Sequence, residues 1–291
     1  MQGPILVLGA SGFIGQHLFK ELSRRFEDVY GTSTIHMGLK NLVQISDLCD
    51  KGKVETLIYN IKPKTIFNLV AYGNYEHDTD TERIFATNLR IVNRIFNSIG
   101  KDTVFINAGS SSEYGKYASG PAEIQRLTPN SIYGVAKAAA SLLIEHKGFN
   151  EGYTCAHLRL YSVYGPGEPS LRLMPQLVAC AKKKRLPLFV SADVSRDFVY
   201  VDDVVKAFIR FAELKPQLHG QAYNIGTGTP TTMRALASLA KDVFQIEDEP
   251  VFNGEPRVWD HYVPWYANTV YASAFWKAET SLAEGLRKMA K

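Results

Sequence analysis

The 291-residue sequence has only three cysteines, Cys49, Cys155 and Cys180. Their odd number and wide spacing exclude a disulfide framework and a zinc ribbon. No apolar run reaches the length of a membrane span. Charge of one sign is nearly absent in excess. The 33 basic and 29 acidic residues leave +4, too mild and dispersed for a nucleic-acid surface, though it suits an anionic small molecule. The one basic run, 182–185, follows the apolar pattern LMPQLVACA and reads as a solvated helix end. The seven histidines show no ligand spacing, so no metal is expected; His77 alone is worth watching. Internal repeats and low-complexity linkers are missing too. The opening MQGPILVLGASG enters a fold motif without a basic leader, so a cytoplasmic, reduced protein without membrane attachment is expected.

What is present is an ordinary globular composition, 45% hydrophobic and 21% charged, in a regular alternation. Short apolar runs predict strands over 5–8, 29–31, 42–45, 65–70, 103–108 and 155–160. Between them, helical patterns cover 13–25, 54–61, 81–99 and 131–146. Strands this apolar are buried on both faces, which a parallel sheet covered by helices requires. The expected class is α/β, a doubly wound parallel sheet of Rossmann type with right-handed crossovers. After Gly165 the Gly/Pro-rich YGPGEPS marks a change of regime. Beyond it come helical patterns at 171–184, 204–214 and 233–244, a β-rich stretch at 196–201 and a last helix holding SLAEGLRKM. The expected organisation is a dinucleotide-binding domain over 1–165 and a smaller, mainly substrate-binding region over 166–291, with 196–224 packing back on the first.

GASGFIG stands where the first strand turns into the first helix. Gly9 permits the tight turn, Gly12 lets backbone approach a pyrophosphate, and Gly15 allows close helix–sheet packing. Ser11, Phe13 and Ile14 complete the loop, and the free N–H groups of the helix start face the phosphates. No Gly-Lys-Ser/Thr follows, so a P-loop is excluded. The Gly-x-x-Gly-x-x-Gly spacing resembles the extended short-chain dehydrogenase/reductase family, also called the NAD-dependent epimerase/dehydratase family. The second strand ends in VYGTST, without the carboxylate that reads the ribose of NAD. The small hydroxyls of Thr32 and Ser33 leave room for a 2′-phosphate, and His36 or Lys40 adds charge, so NADP is preferred over NAD. The arginine usual beside such a phosphate is missing. The resemblance adds Asp47 and Leu48 at the adenine, Val70 and Ala71 at the end of the fourth strand, and Asn88 in FATNL. Asp47 reads equally well as a turn residue.

Tyr133 and Lys137, in YGVAK, lie four apart and share one helix face. The strand before them ends in NAGSSSEYG, and counting from Tyr114 and Gly115 assigns the third partner as Ser110. Hydride transfer at a sugar carbinol needs a proton moved at its oxygen. A free tyrosine, with its pKa near 10, is a poor base at neutral pH. A neighbouring ammonium and a cationic nicotinamide favour its phenolate. Lys137 also holds the nicotinamide ribose, and the serine hydrogen-bonds the reacting oxygen. Dehydratases of the family carry acidic side chains where Ser111 and Ser112 stand here. Glu113 is adjacent but out of register, which disfavours dehydration.

RLYSVYGPG resembles the family's strand-to-substrate loop, placing Tyr161, Ser162 and Val163 beside the nicotinamide, with Ser162 where many members have asparagine. In RDFVYVDDV, Arg196 is the expected diphosphate ligand, and Asp202 and Asp203 are expected to cap the next helix. YNIGTG reads as a packing turn. Arg257 and Asp260 match an arginine and aspartate that hold phosphate and ribose in relatives. These features imply a nucleoside-diphosphate sugar, with 4-keto reduction by NADPH as the leading reaction and NAD-dependent C4 epimerisation as the alternative. A dehydratase, a non-sugar carbonyl reductase and a non-catalytic sensor rank lower. The resemblance also implies a homodimer through the helices at 81–99 and 131–146.

Overall fold

In the computed structural model, which describes every residue except 2, 37, 39, 51, 76 and 255–263, the first half alternates as expected. Its elements run β1 (Ile5–Leu8), α1 (Phe13–Arg25), β2 (Val29–Ser33), β3 (Leu42–Gln44), α2 (Lys53–Ile61) and β4 (Thr65–Asn68). Next come α3 (Thr81–Phe85), α4 (Ile91–Phe96), β5 (Val104–Ser110), α5 (Ile132–Phe149) and β6 (Cys155–Leu160). The single helix predicted over 81–99 is broken by a widened π turn, Ala86–Arg90, between α3 and α4. The second half contains β7 (Ser162–Tyr164), α6 (Leu173–Ala181), β8 (Ser195–Arg196), β9 (Phe198–Tyr200), α7 (Val201–Glu213), β10 (Ala222–Ile225), β11 (Thr231–Thr232), α8 (Met233–Phe244) and α9 (Leu282–Ala290).

The main sheet is parallel, in the order β10-β6-β5-β4-β1-β2-β3. The order reverses between β1 and β4, and a Rossmann-like sheet opens its ligand crevice at the carboxyl ends of strands at such a reversal. Each face carries its own apolar layer. One gathers Val7, Phe67, Ile106 and Leu158 with Phe208 and Phe211 of α7. The other gathers Leu8, Ile66 and Phe105 with Ile91, Ile95 and Ile144 of the helices opposite. A fully buried phenylalanine contributes about 1.5–3 kcal/mol, so losing Phe208 would loosen α7 from the sheet. The tyrosine and asparagine of YNIGTG lie in β10, which pairs with β6 as a seventh strand. The expected turn is therefore sheet, and its glycines begin only after Ile225.

Two smaller apolar groups build the second half. One joins Met174, Leu177, Phe189, Phe198, Met233, Leu236 and Leu286. The other surrounds Tyr114 and Tyr161 with Trp265 and Ala267. Asp203 does not cap α7, whose N-terminus has no side-chain cap. Instead its buried carboxylate accepts the backbone N–H groups of Glu279 at 3.1 Å and Thr280 at 2.7 Å, tying down the approach to α9. Asp202 faces His17 across 3.6 Å. Among the described residues no helix is long and apolar enough to cross a membrane.

Candidate active site

A cavity of about 670 Å³ runs from the start of α1, past the ends of β5 and β6, to Arg196 and Trp265. Gly12 caps α1 with no side-chain hydrogen bond, so the first N–H groups of the helix meet the cavity beside Phe13 and Ile14. A Cβ on Gly15 would sit 2.0 Å from the Gly9 carbonyl oxygen, so only glycine lets α1 approach the loop this closely. Such an uncapped, glycine-lined helix start fits a pyrophosphate.

Ser131 starts α5 by accepting the Gly134 N–H at 3.1 Å, which points Tyr133 and Lys137 toward β5. The Tyr133 phenol hydrogen-bonds Ser110. Lys137, 2% exposed, donates from Nζ to the Ala108 carbonyl at 2.8 Å and stands 5.8 Å from the centre of the Tyr133 ring. Burial pushes the tyrosine pKa up to about 12, against the hydrogen bond from Ser110 and the charge of Arg172. Burial also pulls Lys137 down to about 8, against the charge of Glu113. The direction for the tyrosine is thus opposite to the sequence expectation. Desolvation outweighs nearby positive charge in the protein alone, and a phenolate needs a further cation to form.

The same cavity gathers Ala71, Ser111, Tyr161, Ser162, Val163 and Arg196. Ser111 accepts from the Trp265 indole at 3.1 Å, and the Arg196 guanidinium lies 5.3 Å over the Trp265 ring. Gly9, Ser11, Thr32, Ser33, Asp47, Leu48, Val70 and Asn88 do not line it. Thr32 and Ser33 are buried and turned inward. The Thr32 hydroxyl accepts the Gly9 N–H at 2.9 Å, and the Ser33 hydroxyl accepts the Ile35 N–H at 3.1 Å. They brace the glycine loop and the strand end, which weakens the case for a 2′-phosphate there. Asp47 accepts the Cys49 N–H at 2.7 Å, the turn reading of that residue. Asn88, buried inside the π turn, donates to the carbonyls of Tyr72 at 2.6 Å and Ile84 at 2.8 Å. Arg257 and Asp260 lie outside the described residues. His77 is exposed, stacked on Tyr75 and 3.9 Å from Asp78.

Among the cavity residues that escaped the sequence reading, Tyr75, Glu168, Arg172 and Trp265 bring charge or an aromatic face to it. Arg172 lies 5.1 Å over the Tyr75 ring. Burial raises the Glu168 pKa to about 8 despite Arg172, and one of its carboxyl oxygens is buried without a hydrogen-bond partner among the described residues. Two charged residues in a Gly/Pro-rich loop just after YGPG were the available signal. Trp265 had none beyond its aromatic neighbours. Asp197, fully buried, accepts the backbone N–H groups of Thr227, Gly228 and Ala267 at 2.8–3.0 Å, fixing the segment that carries Trp265.

The sequence pattern of the family described as "NAD dependent epimerase/dehydratase family" matches residues 5–226. The chain is similar to an uncharacterized UDP-glucose epimerase, YtcB, of Bacillus subtilis, 28% identical over 82% of this chain and 81% of that one. It is 27% identical to the UDP-glucose 4-epimerase of Mycolicibacterium smegmatis, over 97% of this chain and 96% of that one. Among solved structures, MoeE5 in complex with UDP-glucose and NAD superposes with a TM-score of 0.86 at 26% identity, covering 99% of this chain and 97% of that one.

Proposed function

Because the chain belongs to the NAD-dependent epimerase/dehydratase family, we propose that it is an NAD-dependent epimerase acting at C4 of a nucleoside-diphosphate hexose. The observation that carries this reading is the convergence of Ser110, Tyr133 and Lys137 on one cavity that reaches from the bare start of α1 to Arg196. The relatives favour epimerisation over the 4-keto reduction that leads in the sequence reading. They also favour NAD over NADP, in keeping with the inward-turned Thr32 and Ser33.

NAD held on the glycine loop would supply reversible hydride transfer at C4, taking the hydride up and giving the same hydride back. Tyr133 takes the C4 hydroxyl proton and gives it back, and Ser110 hydrogen-bonds the same oxygen. Lys137 keeps a positive charge beside the phenol and holds the nicotinamide ribose. Arg196, with Arg257 and Asp260, grips the diphosphate and ribose of the substrate, leaving the 4-keto sugar free to turn between its two faces. Ser111 and Ser112 carry no acid to expel water, so the reaction stops at inversion. The division at Gly165, a homodimer through α3–α4 and α5, and a cytoplasmic setting belong to the same reading. The dimer is supported by Ile132, Val135 and Leu142, which leave α5 with an exposed apolar stripe.

The test is to identify the nucleotide retained by the purified protein by mass spectrometry and to follow UDP-hexoses by proton NMR. Retained NAD and a C4 epimer formed without net redox change are expected. Consumption of NADPH with a 4-keto sugar nucleotide, and no epimer from any hexose, would restore the reductase.

A further inference from the structure

Behind the catalytic serine lies a fully buried carboxylate that the proposed reaction does not use. Glu113, 0% exposed, does not line the cavity, although Ser110, Ser111 and Ser112 just before it do. Its Oε1 accepts the Ser110 N–H at 2.8 Å and the His157 Nε2–H at 2.8 Å, while Oε2 accepts Arg159 Nε at 2.8 Å. Strand alternation sends His157 and Arg159 of β6 to the same face, toward α5. There Arg159 also reaches Ser141 at 2.9 Å and the Tyr114 hydroxyl at 2.7 Å. From His157 the bonding runs on through strand ends: Asn107 Nδ2 donates to Nδ1 at 3.0 Å, Asn68 donates to Asn107 at 2.7 Å, and Val70 N–H reaches Asn68 at 3.3 Å. Three neighbouring strands are thus locked in register from the Val70 loop to Ser110. The lock also requires Gly109, where a Cβ would come within 2.3 Å of His157 Nε2 and 2.8 Å of Glu113 Oε1.

We infer that Glu113 is a positioning residue, which fixes the backbone of Ser110 from behind and supplies the buried negative charge that balances the catalytic lysine. The groups facing it are His157 and Arg159 from β6, Tyr133 and Lys137 from α5, and Tyr114 next in the chain, with Glu123 beyond Arg159. Burial would raise its pKa, but His157 and Arg159 prevail and hold Glu113 ionised, while burial keeps His157 neutral. Its charge opposes ionisation of the Tyr133 phenol and favours the Lys137 ammonium. Removing that charge lowers both pKa values, and removing only the reach of the side chain lowers neither.

The inference rests on the proposed chemistry for the role of Tyr133, so its first readout needs no turnover. The full-length protein, with and without NAD, is labelled at tyrosine carbon and titrated by NMR, the Tyr133 signal being assigned by its loss in Tyr133→Phe. In Glu113→Gln the Tyr133 midpoint is expected to fall by on the order of half a pH unit. In Glu113→Asp, which keeps the charge but withdraws from Ser110, the midpoint stays while kcat drops about tenfold at unchanged KM. An unmoved midpoint in Glu113→Gln, with activity lost only in proportion to folded protein, overturns the inference. If Glu113→Gln leaves Arg159 uncompensated and does not fold, Glu113→Asp decides, and a parental kcat there refutes it. If the parent epimerises nothing, the functional reading fails, and the titration still decides the role of Glu113.

Discussion

The two walls of the cavity are made differently. The chemical wall stands on the carboxyl edge of a seven-stranded sheet, where Ser110 ends β5 and Lys137 is pinned to the Ala108 carbonyl at 2.8 Å. Behind it lie buried side chains bonded one to the next. The opposite wall, with Phe189, Arg196, Met233 and Trp265, rests on strands of two and three residues. Its shape comes from carboxylates, Asp197 and Asp203, that accept loop N–H groups. Proton transfer needs fixed atoms, and a long sheet supplies them. Recognition tolerates a wall assembled from loops, which can be recast without disturbing the first. Substitutions on the chemical wall should therefore change kcat, and those on the other wall KM.

The sharpest test is Tyr133→Phe. Loss of the proton carrier should cut kcat about a thousandfold and leave substrate binding nearly intact, measured by steady-state kinetics beside calorimetric titration. A comparable rise in KM would erase the distinction between the walls. Lys137→Met comes next, with about a hundredfold loss of activity and a gain in stability. The folded lysine titrates near pH 8, below its ordinary 10.5, because burial disfavours its charge. Below pH 8 the parent bears that full penalty, and the penalty fades as pH rises from 8 to 10.5. The variant should thus be more stable by about 1–3 kcal/mol at neutral pH, less the lost bond to Ala108, and the advantage should vanish in alkali. Thermal melts across pH would show this; a variant that melts lower at neutral pH contradicts it.

Effects on the second wall are smaller. Arg196→Ala should raise KM roughly tenfold with little change in kcat, since a lost charge-assisted contact weakens ground and transition states alike. A fall in kcat alone would make Arg196 part of the chemistry. Glu168→Gln should be the mildest, within about twofold at pH 7, because a carboxyl titrating near 8 is largely neutral there. Above that pH the parent acquires a negative charge beside an anionic ligand and should bind it more weakly, while the glutamine variant holds its affinity. Parallel profiles for the two proteins would remove Glu168 from the site.

Legibility in the sequence followed the same division. Strands buried on both faces, such as 5–8 and 155–160, and helices with an apolar stripe, such as 13–25 and 233–244, match the observed elements end to end. Ser110, Tyr133 and Lys137 could be read because long elements fix their spacing. The π turn was hidden because one extra residue barely disturbs helical periodicity. Asp202 and Asp203 looked like caps, since a pair of aspartates at a helix start does not reveal that Asp203 serves a segment more than 70 residues away. Trp265 and Glu168 enter the cavity through loop packing, for which sequence has no period.

The strand β10 ties the second half into the main sheet. The chain leaves the sheet after β6, builds most of the opposite wall, and comes back to lie beside β6 before continuing. Everything from 161 to 221 is therefore an excursion closed at both ends on the same pair of strands. Severing the chain near Gly165 would leave β6, buried along its whole length, as a bare edge with a row of unsatisfied backbone groups open to any passing strand. Evolution can lengthen or redraw that excursion to suit a new sugar, but it cannot discard it without turning the sheet into a seed for aggregation.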